Sequence, residues 1–180
     1  EKIFYNKFKL FIKMKIYCFS DLIISNSKSS AHTIKKKLDK KNKVVAIPNP
    51  ITNLNNKICK TKRINKILYV GRLSKEKGIF ELVEGFELFN KNFPSFKLDL
   101  VGDGHQRKNL SKFISKRNLS RQIKIIEWTN NINKYYKTSK MIILPSYFEG
   151  FGNVLIEALN FNLPCVATKN NGPKEILANG

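Results

Sequence analysis

The chain has 180 residues, of which 42% are hydrophobic, enough for one full domain or for a domain with part of another. Its 34 Lys and Arg against 13 Asp and Glu give a net charge of +21, which favours anionic partners such as nucleic acid, acidic lipid surfaces or phosphorylated small molecules. Three widely spaced cysteines and two histidines argue against a disulfide framework and a structural zinc site, and they favour a reducing, cytoplasmic compartment. No apolar run is long enough to span a bilayer, and the first residues do not have the pattern of a secretory signal.

The first third of the chain predicts two helices, two strands and a linker. Residues 3–17 place Phe and Ile at helical spacing among lysines, which predicts a basic amphipathic helix that either packs on a sheet or contacts anionic lipid. Residues 21–25 and 43–48 have the pattern of short strands, and residues 27–38 form a helix pattern with Ser and Thr at its start. Residues 51–63 are polar and irregular, which predicts a linker at a domain boundary.

Strand and helix patterns then alternate regularly. Strands are predicted at residues 66–72, 97–104, 122–128, 140–146 and 164–168. Helices are predicted near residues 79–91, 105–117, 131–138 and 153–161, and a further helix begins at residues 172–175. Repeated strand–helix units predict an α/β fold with a doubly wound parallel sheet.

In such a sheet, ligands bind beyond the carboxyl ends of the strands, so the loops after the strands are the informative segments. The loop after the first strand of the sheet carries Arg72 and Lys77, two cations that suit a diphosphate or are simply ordinary surface cations. The loop at residues 101–104 holds a lone G-x-G, without the third glycine of a dinucleotide fingerprint. No P-loop pattern occurs either, so neither of these two nucleotide-binding motifs is predicted.

A third loop holds Glu149 and Glu157, eight positions apart around a glycine-rich turn. On an ideal helix their Cα atoms would lie about 12 Å apart and about 80° apart around the axis. That separation does not suit a glycoside hydrolase, whose two carboxyl groups lie about 5–9.5 Å apart. A better arrangement leaves Glu149 in the loop and starts the helix near Gly152 or Asn153, so that Glu157 lies in the second turn.

This arrangement would form a site for an elongated ligand. The free N–H groups of residues 151–154 would point outward at the positive end of the helix, which is an anion site. Carboxylates on either side accept hydrogen bonds from sugar hydroxyls, so a nucleotide-sugar, with its sugar, diphosphate and ribose, has the matching layout. The alternative is a loop glutamate and a solvent-facing helical glutamate without a ligand.

Together these segments resemble the donor-binding domain of retaining glycosyltransferases of the family 4 type (glycosyl transferases group 1), which have the GT-B fold. The matching segments are Val70–Gly78, Val101–Gly104, Pro145–Ala158, which contains the E-x7-E signature, and Leu163–Thr168. The resemblance implies a remnant of an N-terminal acceptor-side domain at residues 1–50, an interdomain linker at 51–63 and a C-terminal nucleotide-sugar-binding domain at 64–180, incomplete at its C-terminus. A fragment at both ends is therefore expected.

The resemblance also implies a role for each residue by position. Arg72 and Lys77 would hold the donor diphosphate, and with Glu149, which would face the transferred sugar, they are the candidate catalytic residues. Glu157 would bind the ribose hydroxyls. The other implied donor contacts are Gly150, Phe151, Gly152 and Asn153 beside the sugar, Val154 and Leu155 near the ribose and base, and Gly102 with Glu127 and Trp128 at the nucleobase.

By resemblance, the reaction is transfer of a hexose or N-acetylhexosamine from a nucleotide-sugar, with a UDP-sugar favoured, to a glycan or lipid-linked acceptor with retention. Residues 172–177, "GPKEIL", are similar to members that build bacterial surface polysaccharides. Neither a tightly bound cofactor nor a metal is implied, and a peripheral position at the inner face of the plasma membrane is compatible with the charge. The chain alone is expected to bind the donor without completing transfer, because the acceptor side lies before residue 1.

Two other interpretations remain open at this point. A GT-B-like nucleotide-sugar epimerase would share the fold, since fold does not fix the reaction. A basic nucleic-acid-binding module would explain the net charge of +21. Against the second, the aromatic residues lie in apolar strand and helix patterns instead of alternating with basic residues on an exposed sheet, so no nucleic-acid partner is expected.

Overall fold

The structure, a computed structural model, describes residues 12, 15–38, 43–50 and 62–178 of the chain. Most of the amphipathic helix predicted at residues 3–17 and most of the linker predicted at residues 51–63 therefore lie outside the described residues. Residues 15–18 are helical, in line with the first of these predictions.

Residues 22–38 and 43–50 form a small unit around two parallel strands. Its elements are β1 (Leu22–Ser25), α1 (Lys28–Lys37) and β2 (Lys43–Ala46). Helix α1 begins after Ser27, whose hydroxyl accepts a hydrogen bond from the Ser30 amide at 3.2 Å. This N-cap satisfies one of the amides that the first turn of a helix leaves without a partner.

Residues 64–178 build a five-stranded parallel sheet with helices on both faces. The strands are β3 (Lys66–Val70), β4 (Lys97–Val101), β5 (Ile123–Ile126), β6 (Met141–Leu144) and β7 (Cys165–Ala167). The helices are α2 (Ile79–Asn92), α3 (Arg107–Lys116), α4 (Ile132–Thr138), α5 (Asn153–Asn160) and α6 (Asn171–Ile176). The strand order is β5-β4-β3-β6-β7, so the chain first moves to one side of β3 and then returns to the other. The predicted doubly wound α/β architecture is confirmed.

Both faces of this sheet are buried, as parallel sheets require. Side chains alternate along β3: Ile67 and Tyr69 join one apolar cluster, under α2 and α3, while Leu68 and Val70 join the cluster on the opposite face. The continuous apolar run of β3 therefore serves two cores at once.

Strands β3 and β4 end earlier than the sequence predicts, because the loops after them leave the sheet at Gly71 and Gly102. After β4 the chain turns at Gly102, whose φ of 146° is rare for any residue with a side chain. A Cβ atom on Gly102 would lie 1.9 Å from the Gly71 carbonyl oxygen. Glycine is thus required for the loops after β3 and β4 to cross this closely, next to the point where the strand order reverses.

Candidate functional site

A cavity of about 560 Å³ opens where the strand order reverses, beyond the carboxyl ends of β3 and β6. This is the position at which doubly wound sheets bind ligands. Among the residues that line the cavity are eight of the predicted site residues: Arg72, Lys77, Glu149, Gly150, Phe151, Gly152, Asn153 and Val154. The structure therefore brings the loop after β3 together with a loop and helix start that lie more than seventy residues further along the chain.

Lys77 reaches this cavity because the loop after β3 closes in a short 3-10 turn. Residues 75–77 form the turn, and Gly78 follows with a left-handed φ of 64°, so that α2 begins directly after it. A Cβ atom on Gly78 would lie 2.2 Å from the Pro145 carbonyl oxygen, which shows how closely this loop lies against the loop after β6. The sequence predicted these residues only as a loop.

Lys77 and Glu149 form an ion pair across the two loops. The Lys77 Nζ lies 2.7 Å from Glu149 Oε2, and the two side chains keep 23% and 15% of their exposure. Ser146 Oγ donates a longer hydrogen bond of 3.4 Å to the same carboxylate oxygen. The pair is thus fixed in place but remains open to a ligand in the cavity.

Arg72 lies beside this pair with an exposed side chain. Its carbonyl oxygen accepts a hydrogen bond of 2.8 Å from the hydroxyl of Tyr69, a fully buried residue. Burial raises the pKa of Tyr69 well above its usual range, and the negative charges of Glu149 and Glu76 raise it further. Tyr69 therefore stays neutral and keeps donating, which holds the backbone of the cationic loop.

Helix α5 begins at the cavity, as the sequence predicted. Gly152 precedes the helix with a φ of 96°, and Asn153 and Val154 in the first turn line the cavity. The first amides of a helix have no partner within it, and they carry the positive end of the helix dipole. This end of α5 lies in the same cavity as Arg72 and Lys77, so three sources of positive potential converge there.

Glu157 occupies the second turn of α5, outside the residues that line the cavity. Its Oε2 accepts a hydrogen bond of 2.6 Å from the hydroxyl of Tyr136, which is 1% exposed. Burial, and to a smaller extent this hydrogen bond, raises the pKa of Tyr136 well above its usual range. The tyrosine therefore stays protonated and donates. Sequence reasoning missed Tyr136, whose only signal was a polar hydroxyl on an otherwise core-facing position of α4.

Four other predicted site residues do not line the cavity: Gly102, Glu127, Trp128, which is 63% exposed, and Leu155. The Leu155 side chain, in α5, has no exposure, and its predicted place near the ribose and base stays a prediction. Gly102 is buried at the crossing of the loops after β3 and β4. Glu127, beyond β5, is 81% exposed and lies 3.4 Å from Arg107 Nη2.

Two asparagines of the small N-terminal unit line the cavity and were not predicted. Asn26 follows β1 and Asn49 follows β2. The Asn49 Nδ2 donates a hydrogen bond of 3.0 Å to Asn153 Oδ1 at the start of α5. Their position in the sequence could have indicated them, since each stands just beyond the carboxyl end of a parallel strand, where ligands bind.

The sequence profile of the glycosyl transferases group 1 family matches residues 50–180. The chain belongs to this family. It is 29% identical over 96% of its length to an uncharacterized glycosyltransferase of Methanocaldococcus jannaschii, of which it covers 46%. It is 25% identical over 96% of its length to the capsular polysaccharide biosynthesis glycosyltransferase CapM of Staphylococcus aureus, of which it covers 51%. The chain thus spans about half the length of these curated relatives.

A solved structure of a mutant of S. aureus TarM, in complex with Fondaparinux, alpha-GlcNAc-glycerol and UDP, has the same fold. The superposition covers 90% of this group 1 glycosyltransferase chain and 33% of the TarM chain, with a TM-score of 0.82 and 24% sequence identity. The predicted membership of the glycosyl transferases group 1 family and the GT-B fold class are confirmed.

The described part of this family member holds neither a cluster of possible metal ligands nor a candidate membrane span. No three or more His, Cys, Asp and Glu side chains come together there as a possible metal site. None of the helices described is both long and apolar enough to cross a bilayer.

Proposed function

We propose that this group 1 glycosyltransferase chain binds the nucleotide-sugar donor, with a UDP-sugar favoured, in the cavity between β3, β6 and α5. The observation that carries the proposal is the convergence of Arg72, Lys77 and the start of α5 on one cavity that also holds Glu149. The TarM structure, which contains UDP, supports the choice of nucleotide.

The diphosphate would lie among the three positive groups. Arg72 offers a planar fork of donors, Lys77 a compact charge, and the first turn of α5 its free amides. In the free protein Lys77 Nζ is 2.7 Å from Glu149 Oε2. Because an ammonium group has three donor hydrogens, Lys77 would contact a phosphate oxygen and still keep Glu149 in place.

The two glutamates would bind the hydroxyl-bearing parts of the donor. Glu149, in the cavity, accepts from hydroxyls of the transferred sugar, and Glu157 accepts from the ribose. Tyr136 holds one oxygen of Glu157 at 2.6 Å, which leaves the other oxygen for a ribose hydroxyl. Arg72, Lys77 and Glu149 would then be the catalytic residues, acting on the leaving diphosphate and on the sugar.

For the whole protein we propose transfer of a hexose or N-acetylhexosamine, with retention, to a glycan or lipid-linked acceptor in surface polysaccharide synthesis. The similarity to CapM, a capsular polysaccharide biosynthesis glycosyltransferase, supports this role. In this proposal residues 1–50 belong to the acceptor-side domain, residues 51–63 to the linker and residues 64–180 to the donor domain. The protein would work in the cytoplasm, at an anionic membrane surface when its acceptor is lipid-linked, and without an essential metal.

A donor screen by thermal shift tests the proposal. UDP-sugars are expected to raise the unfolding temperature of the chain, whereas GDP- and ADP-sugars raise it less or not at all. UDP and 2′,3′-dideoxy-UDP would then be compared on wild type and Glu157→Gln. Loss of the ribose contact should weaken UDP about tenfold or more, while dideoxy-UDP binds both proteins equally. Equal binding of UDP and dideoxy-UDP to wild type would contradict the assigned role of Glu157.

A further inference from the structure

The small N-terminal unit supplies one wall of the donor cavity, and the proposed function leaves this wall without a role. Asn26 and Asn49 line the cavity together with Arg72, Lys77 and Glu149. Both asparagines come from loops that follow β1 and β2, so this wall is separate in sequence from every predicted donor contact.

Contacts on the residues that follow Asn26 fix its place in this wall. Ser27, directly after it, is 1% exposed and caps α1. The Glu175 carboxylate on α6 accepts hydrogen bonds from the next two amides, from Lys28 at 3.0 Å and from Ser29 at 2.6 Å. A carboxylate at the start of a helix satisfies its free amides and complements the helix dipole. Asn26 therefore stands at an anchored junction between the small unit and the donor domain.

The Asn26 carboxamide lies near Gly150, at the Glu149 end of the cavity. A Cβ atom built on Gly150, the residue after Glu149, would lie 3.9 Å from Asn26 Nδ2 and 4.0 Å from its Oδ1. Within the part of the chain that the structure describes, no hydrogen bond engages this carboxamide. Asn49, by contrast, is already engaged, since it donates to Asn153 Oδ1 at 3.0 Å.

We propose that Asn26 is a specificity-determining residue whose carboxamide hydrogen-bonds a hydroxyl or acetamido group of the sugar that the donor carries. This inference rests on the proposed function, because it takes the Glu149 end of the cavity as the sugar end. A carboxamide offers two donor hydrogens and one acceptor oxygen and carries no charge. That chemistry matches an uncharged sugar substituent, whereas the charged diphosphate is met by Arg72 and Lys77.

Calorimetric titrations of UDP and of UDP-N-acetylglucosamine, UDP-glucose and UDP-galactose test the inference. Wild type, Asn26→Ala and Asn65→Ala would be compared. Asn26→Ala is expected to lower the affinity for the UDP-sugar that wild type binds best by about five- to tenfold, because one or two neutral hydrogen bonds are lost. The affinity for UDP should not change. Asn65→Ala is the matched control, because its carboxamide donates to Ser95 Oγ at 2.9 Å beside the amino end of β3. This control substitution should change the affinity for neither UDP nor the UDP-sugar.

The outcomes separate this inference from the proposed function. If wild type binds neither UDP nor a UDP-sugar, the proposed function fails and the inference falls with it. If wild type binds a UDP-sugar and Asn26→Ala binds both ligands as wild type does, the inference alone is overturned. An equal loss of both ligands also overturns it, since that result indicates a structural role. Asn26→Asp, which keeps the shape and loses two donor hydrogens, is the second variant in case the alanine variant does not fold.

Discussion

Lys77 and Glu149 form an ion pair whose two members would bind different parts of the donor, the diphosphate and the sugar. Their 2.7 Å ion pair joins the loops after β3 and β6, with both side chains still partly exposed. In the free protein the glutamate neutralises part of the charge that the diphosphate would use. Each residue therefore has a predictable and opposite effect on the binding of the nucleotide alone.

Lys77→Met should weaken UDP binding by about 1.5–3 kcal/mol, because a charged hydrogen bond to the diphosphate is lost. Glu149→Gln should leave UDP binding unchanged or strengthen it by about 0.5–1 kcal/mol, because a nearby negative charge is removed from a partly solvated site. Isothermal titration calorimetry measures both, with Lys108→Met on the exposed surface of α3 as the control. A loss of UDP affinity in Glu149→Gln as large as that in Lys77→Met would contradict the assignment of Glu149 to the sugar.

At the residue scale the sequence was enough to bring Arg72, Lys77 and Glu149 to one cavity, but not to predict which of them touch. Arg72, Lys77 and Glu149 follow strands that a doubly wound sheet must bring to one edge. The ion pair of Lys77 with Glu149 joins residues 72 positions apart, and the hydrogen bond of Tyr136 to Glu157 joins residues 21 positions apart. Such contacts depend on loop conformations and side-chain rotamers that no local sequence pattern encodes.

Two glycines in different elements give opposite predictions for stability. Gly102 has a φ of 146° and no room for a Cβ atom, which would lie 1.9 Å from the Gly71 carbonyl oxygen. Gly85 lies inside α2 with nothing within 4 Å of a built Cβ atom. The first glycine is required by the loop crossing, and the second only lowers the helix propensity of α2.

In urea unfolding, Gly102→Ala should lower the free energy of unfolding by about 2 kcal/mol or more, through backbone strain and the forced separation of two loops. Gly85→Ala, the matched control, should raise the free energy of unfolding by about 0.5–1 kcal/mol. A Gly102→Ala variant as stable as wild type would show that the loops after β3 and β4 do not cross as described.

Arg63 ties together the ends of α4 and α5. Its guanidinium donates hydrogen bonds to the carbonyl oxygens of Tyr136 at 3.2 Å and Ser139 at 2.6 Å, and to those of Phe161 at 2.7 Å and Asn162 at 3.0 Å. These oxygens belong to helix ends, where carbonyl groups lack partners within the helix. One side chain thus caps two neighbouring helices.

Arg63→Met should lower the free energy of unfolding by about 2–3 kcal/mol, because charged hydrogen bonds to partly buried carbonyl groups are lost. Arg63→Lys should recover only part of this, since a lysine cannot present a planar fork of donors. Urea denaturation measures both, with Lys62→Met at the exposed neighbouring position as the control. Equal stability of the methionine variant and wild type would refute the capping role.

At the element scale the periodic patterns located every helix and strand of the described sheet, with ends displaced by a few residues. The exceptions have physical causes. Gly102 ends β4 early because the loop crossing imposes its φ, and residues 75–77 form a 3-10 turn because the loop packs on Pro145. Arg63 was grouped with a polar linker, because its four acceptors lie 73 to 99 positions further along the chain.

For the whole molecule, the net charge of +21 bears on the competing nucleic-acid interpretation. A nucleic-acid-binding module would retain RNA or DNA on a filter at physiological salt, with an affinity that falls steeply as salt is raised. The donor-site account predicts no specific retention under these conditions. Strong retention that UDP does not reduce would favour the nucleic-acid interpretation.

The packing of the small N-terminal unit against the larger sheet domain was the feature hardest to predict from the sequence. The repeated strand–helix units predicted the doubly wound sheet, because right-handed crossovers leave few alternatives. The packing of α1 on α6 through Glu175 was not predictable, since one exposed carboxylate meets amides 146 and 147 positions earlier in the chain. That contact lies two and three residues after Asn26, which lines the cavity.

Calorimetric titration of UDP into wild type, Arg72→Ala and Glu157→Ala tests the central claim most directly. The two groups would meet different parts of the nucleotide, the diphosphate and the ribose, so each variant should lose about 1.5–3 kcal/mol of binding free energy. Arg121→Ala, at an exposed position before β5, should bind UDP as wild type does. Equal UDP affinity in wild type and in both site variants, or no binding to wild type, would contradict a nucleotide-sugar site in this cavity.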